Sequence, residues 1–443
     1  MQKKALFDFK NRGSNVLTEV IAGFTTFATM AYVLIVHTGM MIDAGMDGTG
    51  VMLATALISG LITIAMGLFT DLPFALAPGM GTNAILAYTL VAGGVCDWQT
   101  GIGMIVISGT VFLLLSIFKI REKVVEWIPK VLKIGVGASV GIFLIRLSIV
   151  NANLMAPNFG GLGDFTDPNV MLAAIGLAIT LFLYFFRVTI NGRTYVIRGS
   201  LLFSIIITTI IGICMGLVAV PEKLFTTNAL SALGNVAFKF DLKSALNFSY
   251  FSLILVFFMG DFFSTLGTAL GVAGKANMLD EDGNLPVIGK VFLVDAIGTC
   301  VGACFGLTTV TTYVESASGV EAGGRSGLTS VVTGLLFIAS MFLAPIFLMI
   351  PTAATAPALI CIGISMMQTL GNCDFSDSEW YPVCIMLIVS LFCGLANAIA
   401  IGMVCYVLIH VCKYLFTSER NKETLPSIAT IIITILSCLQ FFL

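Results

Sequence analysis

Two stretches of the sequence interrupt apolar segments that would otherwise be continuous helices, and both contain polar side chains. Residues 77–83 (APGMGTN) include Pro78, which removes a backbone donor, and two glycines, each of which costs a helix about 1 kcal/mol. Residues 308–312 (TTVTT) are mostly β-branched and favour extended backbone. An extended stretch followed by a short helix leaves backbone N–H groups free for a polar ligand. The two breaks therefore predict a binding site.

An amide and two carboxylates are expected to belong to this site. Asn83 and Glu315 would lie one turn inside the short helices that follow the breaks, and Asp261 lies well inside an apolar stretch. A charge at mid-bilayer costs about 2.5–3.5 kcal/mol, so each carboxylate needs a reason to be there. The alternative for Asp261 and Glu315 is an internal ion pair or a helix cap.

A flat ligand with donors and acceptors on its rim would fit these groups if the short helices meet. Because an amide can donate and accept at once, Asn83 is expected to discriminate among such ligands. Phe262, Phe263 and Tyr313 are available to stack on the ligand. The alternative is that the breaks serve only as packing hinges.

Other polar residues have a structural interpretation. Asp295 lies in an ordinary helical segment with no break beside it, which favours an internal ion pair or a helix cap. Glu19 and Asp71 lie nearer to segment ends, where they can reach water or cap helices. Arg325 is expected either to cap the preceding turn or to pair with Glu321.

The sequence offers little support for other chemistry. Eleven cysteines are scattered without a CxxC pair, and His37 and His410 stand apart near predicted segment ends, so no metal site is expected. No Gly-Lys-Ser/Thr follows a glycine-rich stretch, so the chain has no phosphate-binding loop of an ATPase, and any energy that it needs would come from a gradient. The sequence shows no cluster of reactive side chains such as an enzyme would need, and no basic domain for nucleic acid. No cofactor is expected.

The elements around these residues are those of a polytopic all-α membrane protein embedded in a lipid bilayer. The chain is 58% hydrophobic and 10% charged, with a mean hydropathy of +1.03. Only helices or closed barrels span lipid, and the apolar runs lack the alternation of barrel strands. Fourteen segments are predicted, near 18–41, 50–70, 74–94, 99–118, 128–150, 170–187, 199–220, 247–273, 289–305, 306–320, 326–349, 351–369, 381–394 and 396–416. Residues 426–443 are either an interfacial helix or a further span.

Charge and repeats indicate how the segments are arranged. The basic N-terminus has no cleavable signal peptide and is predicted to be cytoplasmic.

Residues 128–141 and 350–363 both begin Ile-Pro and end in Gly, and 74–88 and 305–319 form a second pair half a chain apart. The mixed loop 221–246 separates seven segments from seven, so the halves would be inverted. Inverted repeats with interrupted helices point to a secondary transporter with a midplane site. Two basic loops should also be cytoplasmic, namely Lys119, Arg121, Lys123, Lys130 and Lys133 between segments four and five, and Arg187, Arg193 and Arg198 between six and seven.

Six motifs resemble the hypoxanthine/guanine/adenine permease branch of the nucleobase–cation symporters, in the xanthine/uracil permease superfamily. The resemblance covers nearly the whole chain. It implies the uracil-permease fold, with fourteen transmembrane segments in two inverted sevens and extended breaks in segments 3 and 10. A core domain (1–119 and 247–350) would carry the substrate against a gate domain (120–246 and 351–443) in an elevator-type cycle. The motifs lie at 11–32, 77–83, 261–267, 279–286, 308–319 and 354–359.

The resemblance also implies proton-coupled import of purine bases across the cell membrane. By position it assigns substrate binding to Asn83, Asp261 and Glu315, with the two carboxylates coupling transport to H+. The remaining expected site residues are Thr82, Thr312, Phe263 and Ser264. The family pattern in segment 8 is Asp-Phe-Phe-Asp-Thr-Val-Gly, and Ser264 stands where the second Asp would be, so the proton stoichiometry and substrate range stay open.

Three other classes compete with a purine symporter. An anion transporter or a uniporter could use the same fold, although two midplane carboxylates would repel an anion. A membrane-embedded enzyme would need reactive groups that do not stand out in the sequence, and a channel would not need inverted repeats with broken helices. A homodimer is compatible with this class of transporter.

Overall fold

The computed structural model describes residues 7–118, 129–156, 161–190, 193–197, 199–221, 229–280, 285–372, 380–393 and 395–416, with Phe225 and isolated positions after 424. Several predictions on basic loops and segment ends lie outside these residues. They concern Lys119, Arg121, Lys123, Ile128, Arg198, part of the motif at 279–286 and most of the end segment 426–443.

The first half contains one broken segment among long helices. The broken segment consists of strand β1 (Leu76–Pro78), the short helix α4 (Met80–Ala84) and a π-helical stretch (Ile85–Val91). The other helices are α1 (Val16–Met30), α2 (Tyr32–Asp43), α3 (Gly48–Thr70), α5 (Trp98–Ile117), α6 (Lys130–Asn151), α7 (Pro168–Phe185) and α8 (Ser200–Cys214).

The second half also contains one broken segment among long helices. Strand β4 (Val310–Thr312) and the short helix α13 (Ser316–Glu321) form its broken segment. The long helices around it are α11 (Phe251–Lys275), α12 (Ile288–Cys304), α14 (Gly327–Ser340), α16 (Thr352–Met367), α17 (Tyr381–Cys393) and α18 (Leu395–Phe416), and α15 (Ala344–Leu348) extends α14 after a 3-10 turn.

Two features between these segments were not expected from the sequence. Strands β2 (Arg187–Ile190) and β3 (Arg193–Val196) form an antiparallel hairpin after α7. The loop 221–246 contains the short helices α9 (Ala229–Val236) and α10 (Leu242–Ala245).

Within the described part of the chain, eight helical stretches are long and apolar enough to cross a membrane, and four shorter apolar helices accompany them. The protein is therefore a multi-pass membrane protein. The described elements lie close to the predicted segments, including both broken ones.

Glycines allow pairs of helices to approach closely. A Cβ on Gly141 of α6 would lie 2.5 Å from the Gly363 carbonyl oxygen on α16, and a Cβ on Gly363 would lie 2.5 Å from the Gly141 carbonyl oxygen. Helices α3 and α14 touch in the same way at Gly67 and Gly327. Small residues permit such contacts in lipid, where packing rather than hydrophobic burial drives helix association.

Candidate functional site

The two predicted breaks meet as a two-stranded antiparallel ribbon inside the helix bundle. Strands β1 and β4 pair with Leu76 opposite Thr312 and Pro78 opposite Val310. The pairing is extended by the Gly79 N–H, which donates to the Thr309 carbonyl oxygen at 2.8 Å. The β-branched threonines and the proline thus take the extended backbone that their types favour. The prediction of extended breaks in segments 3 and 10 is confirmed.

Glu315 lies next to the ribbon, at the N-cap of α13 rather than one turn inside it as expected. The Tyr32 hydroxyl of α2 donates to Glu315 Oε1 at 2.7 Å. Glu315 Oε2 is buried and has no hydrogen-bond partner among the described residues. A buried carboxylate oxygen without a partner is costly, so it marks a position where a ligand donor would be stabilised.

Asn83 connects the two breaks. Its side chain is fully buried, one turn inside the short helix as predicted. The Thr308 hydroxyl donates to Asn83 Oδ1, and Asn83 Nδ2 lies 3.7 Å from the Met80 sulfur, a weak acceptor. One end of the amide is therefore held by the other break, and the other end keeps spare donor capacity.

The two threonines of the predicted site differ in their surroundings. Thr82 Oγ1 lies 2.8 Å from Thr309 Oγ1 and donates to the Gly79 carbonyl oxygen at 2.9 Å, so its contacts hold the ribbon together. Thr312 Oγ1 is buried without a hydrogen-bond partner in the part of the chain that the structure describes. Thr312 and Glu315 thus both have an unpaired oxygen at the same end of β4.

Asp261 is buried in α11 and is linked to the ribbon through a threonine. Its Oδ2 accepts a hydrogen bond from Thr299 Oγ1 at 2.8 Å, and Thr299 Oγ1 accepts one from the Val310 N–H at 3.1 Å. One turn further along α11, Thr265 donates to Asp295 at 2.7 Å. Asp295 therefore accepts an internal hydrogen bond, whereas its position favoured an ion pair or a helix cap, and Asp261 is connected to β4 through Thr299.

The remaining predicted residues differ in their surroundings. Ser264 is exposed on α11, although Asp261 in the preceding turn is buried. The side chain of Phe263 lies outside the described residues. Phe262 is not available for stacking on a ligand, because its ring is fully buried between Phe112 and Phe292. The Tyr313 hydroxyl donates to the Pro78 carbonyl oxygen and so fixes the ribbon.

The charged residues near the segment ends cap helices. Glu19 accepts from the N–H groups of Arg325 and Ser326, at the start of α14. The Arg325 guanidinium donates to carbonyl oxygens of the preceding turn, as one of its two interpretations predicted. The pairing with Glu321 is wrong, because Glu321 forms its ion pair with Lys275 at 3.0 Å.

Three residues of the site were not singled out by the sequence. Tyr32 holds Glu315, Thr308 holds Asn83, and His37 of α2 lies fully buried beside Asn83. Thr308 was predicted only as one member of the extended break 308–312, with no role of its own. Tyr32 and His37 lie in regular helix, where no local signal distinguishes them from core residues.

Two interrupted segments meet here through β1 and β4, with polar groups beside them, an arrangement typical of secondary transporters. Residues 17–403 match the Xan_ur_permease family, described as a permease family, and the chain belongs to it. It is therefore a permease and not an enzyme. No group of three or more potential metal ligands occurs in the described ranges.

Relatives agree with this membership, and a solved structure shares the fold. The chain is 34% identical to the adenine permease AdeP of Escherichia coli (strain K12), over 98% of this chain and 95% of AdeP. It is 34% identical to the guanine/hypoxanthine permease PbuG of Bacillus subtilis (strain 168), over 96% of each chain. The transmembrane domain of a cyanobacterium bicarbonate transporter, BicA, superposes with a TM-score of 0.63 at 16% identity, over 87% of this chain and 96% of that domain, which shows a shared fold.

Proposed function

We propose that the protein imports purine nucleobases, among them hypoxanthine, guanine or adenine, by secondary active transport. The observation that carries the proposal is the unpaired Glu315 Oε2 at the crossing of the two breaks. Purine rings present N–H donors on their edge, and a charge-assisted hydrogen bond to a carboxylate contributes about 1.5–3 kcal/mol. The adenine and guanine/hypoxanthine permeases related to this chain support the same substrate class.

A proton gradient is the proposed source of energy, used by symport of H+ with the base. Asp261 is the proposed proton carrier and Glu315 the second titrating group. Asp261, which is linked to β4 through Thr299, and Glu315, which follows β4, do not both ionise easily in a low dielectric, so one holds a proton during part of the cycle. The same carboxylates argue against an anion as substrate, even though the fold is shared with a bicarbonate transporter.

An elevator-type movement of a core domain against a gate domain is the proposed mechanism. Two groups of helices support this division, because α1, α3, α5, α11, α12 and α14 contact one another extensively, as do α6, α7, α8, α16, α17 and α18. The reciprocal contacts of β1 with β4 and of Gly141 with Gly363 are those expected of two inverted halves. Fourteen segments, a cytoplasmic N-terminus in the cell membrane and a homodimer belong to the same proposal.

Uptake of radiolabelled hypoxanthine, guanine, adenine, xanthine and uracil into cells without their own permeases tests the substrate class. We expect saturable uptake of at least one purine base and none of uracil. Uptake of uracil alone, or no uptake of any base by protein that reaches the membrane, would refute the proposal.

A further inference from the structure

His37 lies in α2 with its side chain completely buried. Neither ring nitrogen makes a hydrogen bond of ordinary length and angle with a described residue. Asn83 is the polar neighbour of the ring, and α2 packs against both α4 and β1. A buried imidazole is usually hydrogen-bonded, so an unpaired one beside a binding amide needs an explanation.

The Asn83 amide can satisfy this ring without losing its other contacts. Its Oδ1 already accepts from Thr308, and its Nδ2 has only the Met80 sulfur at 3.7 Å. A neutral imidazole has one acceptor nitrogen, and an amide nitrogen has two hydrogens. One Nδ2 hydrogen can therefore bind His37 while the second stays free for a ligand.

We propose that His37 is a positioning residue that fixes the orientation of the Asn83 amide and thereby determines which purines are preferred. Thr308 defines the carbonyl end of the amide and His37 defines the amino end. With both partners present, a rotation that exchanges the two ends breaks two hydrogen bonds. The base then meets the donor and the acceptor of the Asn83 amide in fixed places. A 6-oxo purine presents an acceptor at carbon 6 and a 6-amino purine presents a donor there, so a fixed amide distinguishes the two.

This inference rests on the proposed purine transport and predicts a change in selectivity. His37→Leu cannot accept from the amide, so the amide can turn and accommodate either base. We expect the ratio of the inhibition constants of adenine and hypoxanthine to move towards one by about two- to tenfold, the range that one hydrogen bond supplies. His37→Gln, whose carbonyl oxygen can accept, should retain most of the selectivity of the unmodified protein.

Competition by adenine and hypoxanthine against uptake of a radiolabelled purine measures this ratio. His410→Leu is the matched control, because His410 is also buried in a helix but contacts the Tyr406 carbonyl oxygen on α18. If His37→Leu does not reach the membrane, Thr308→Val removes the other partner of the amide and should change the ratio in the same direction. An unchanged ratio in an active His37→Leu or Thr308→Val variant would overturn the inference. Absence of purine uptake by the unmodified protein would instead overturn the proposed function.

Discussion

The two oxygens of the Glu315 carboxylate have different surroundings, and this difference defines how a base could bind. Oε1 accepts from the Tyr32 hydroxyl, whereas Oε2 is buried without a partner among the residues described. Tyr32 therefore fixes the rotation of the carboxylate so that Oε2 is presented in one direction. A preoriented acceptor loses less conformational entropy when a ligand binds.

Replacing Tyr32 by Phe should weaken purine binding without abolishing it. The variant removes one hydrogen bond to Glu315 and leaves the ring in place, so we expect a loss of affinity of about two- to tenfold. Equilibrium binding of hypoxanthine, guanine and adenine to purified protein measures the loss. Tyr406→Phe, at a buried tyrosine packed on His410, is the control and should bind normally. Equal affinities in the two variants would show that Tyr32 does not position the carboxylate.

The sequence could single out Asn83, Asp261 and Glu315 as candidates because their signals are local. A proline with glycines, a run of threonines and carboxylates in apolar stretches are all visible without knowledge of the fold. His37 and Tyr32 could not be singled out in this way, since their proposed roles depend on contacts with residues far away in the chain. Tyr32 meets Glu315 across 283 residues, and only the folded structure brings them together.

Among the elements, the contact between α6 and α16 gives the sharpest test of how the helices are packed. The two helices touch at Gly141 and Gly363, where an added Cβ would lie 2.5 Å from the opposite carbonyl oxygen. Their sequences each have this glycine at the same distance from an Ile-Pro pair, which predicted that the two helices are equivalent.

Gly141→Ala and Gly363→Ala should each destabilise the protein. The added methyl group must push the helices apart, and overpacking of this kind costs about 1–3 kcal/mol. Gly271→Ala on α11 is the control, because nothing lies within 4 Å of its added Cβ, and alanine favours helix over glycine. The thermal unfolding temperature in detergent should fall for the first two variants and stay the same or rise for the third. Unchanged unfolding temperatures for all three would contradict the close contact.

Two features of the elements were not settled from the sequence, namely the partner of Arg325 and the hairpin of β2 and β3. Arg325 had two candidate partners within five residues, and the sequence did not decide between them. The choice depends on Lys275, which lies 46 residues before Glu321 and takes its carboxylate. The hairpin of β2 and β3 was missed although the sequence carries a signal for it. Asn191-Gly192, a typical two-residue hairpin turn, separates two stretches rich in β-branched residues.

At the scale of the whole molecule, the proposed transport cycle requires a proton gradient to drive the accumulation of purine. One elementary charge moving through the membrane potential contributes about 2.3 kcal/mol per 100 mV, which is enough for a single proton to drive accumulation. Proteoliposomes with an inward proton gradient should therefore accumulate purine above equilibrium.

Asp261→Asn should abolish this accumulation but spare exchange of purine across the membrane, because the proton carrier is lost and the binding groups remain. Ser264→Asp, which restores the carboxylate of the family pattern, should shift the pH optimum and the preferred base. If a proton gradient produces no accumulation with the unmodified protein, it is a uniporter and Asp261 has a structural role through Thr299.

The central claim is that a purine base binds at the crossing of the two breaks against Glu315. Isothermal titration of purified protein with hypoxanthine, guanine and adenine tests it most directly, with Glu315→Gln compared with Glu321→Gln. Both glutamates border the same short helix, but Glu321 is exposed and paired with Lys275. We expect the Glu315→Gln variant to lose at least about tenfold in affinity, as expected for one charge-assisted hydrogen bond, and the Glu321→Gln variant to bind like the unmodified protein. Equal affinities of all three proteins would contradict the claim.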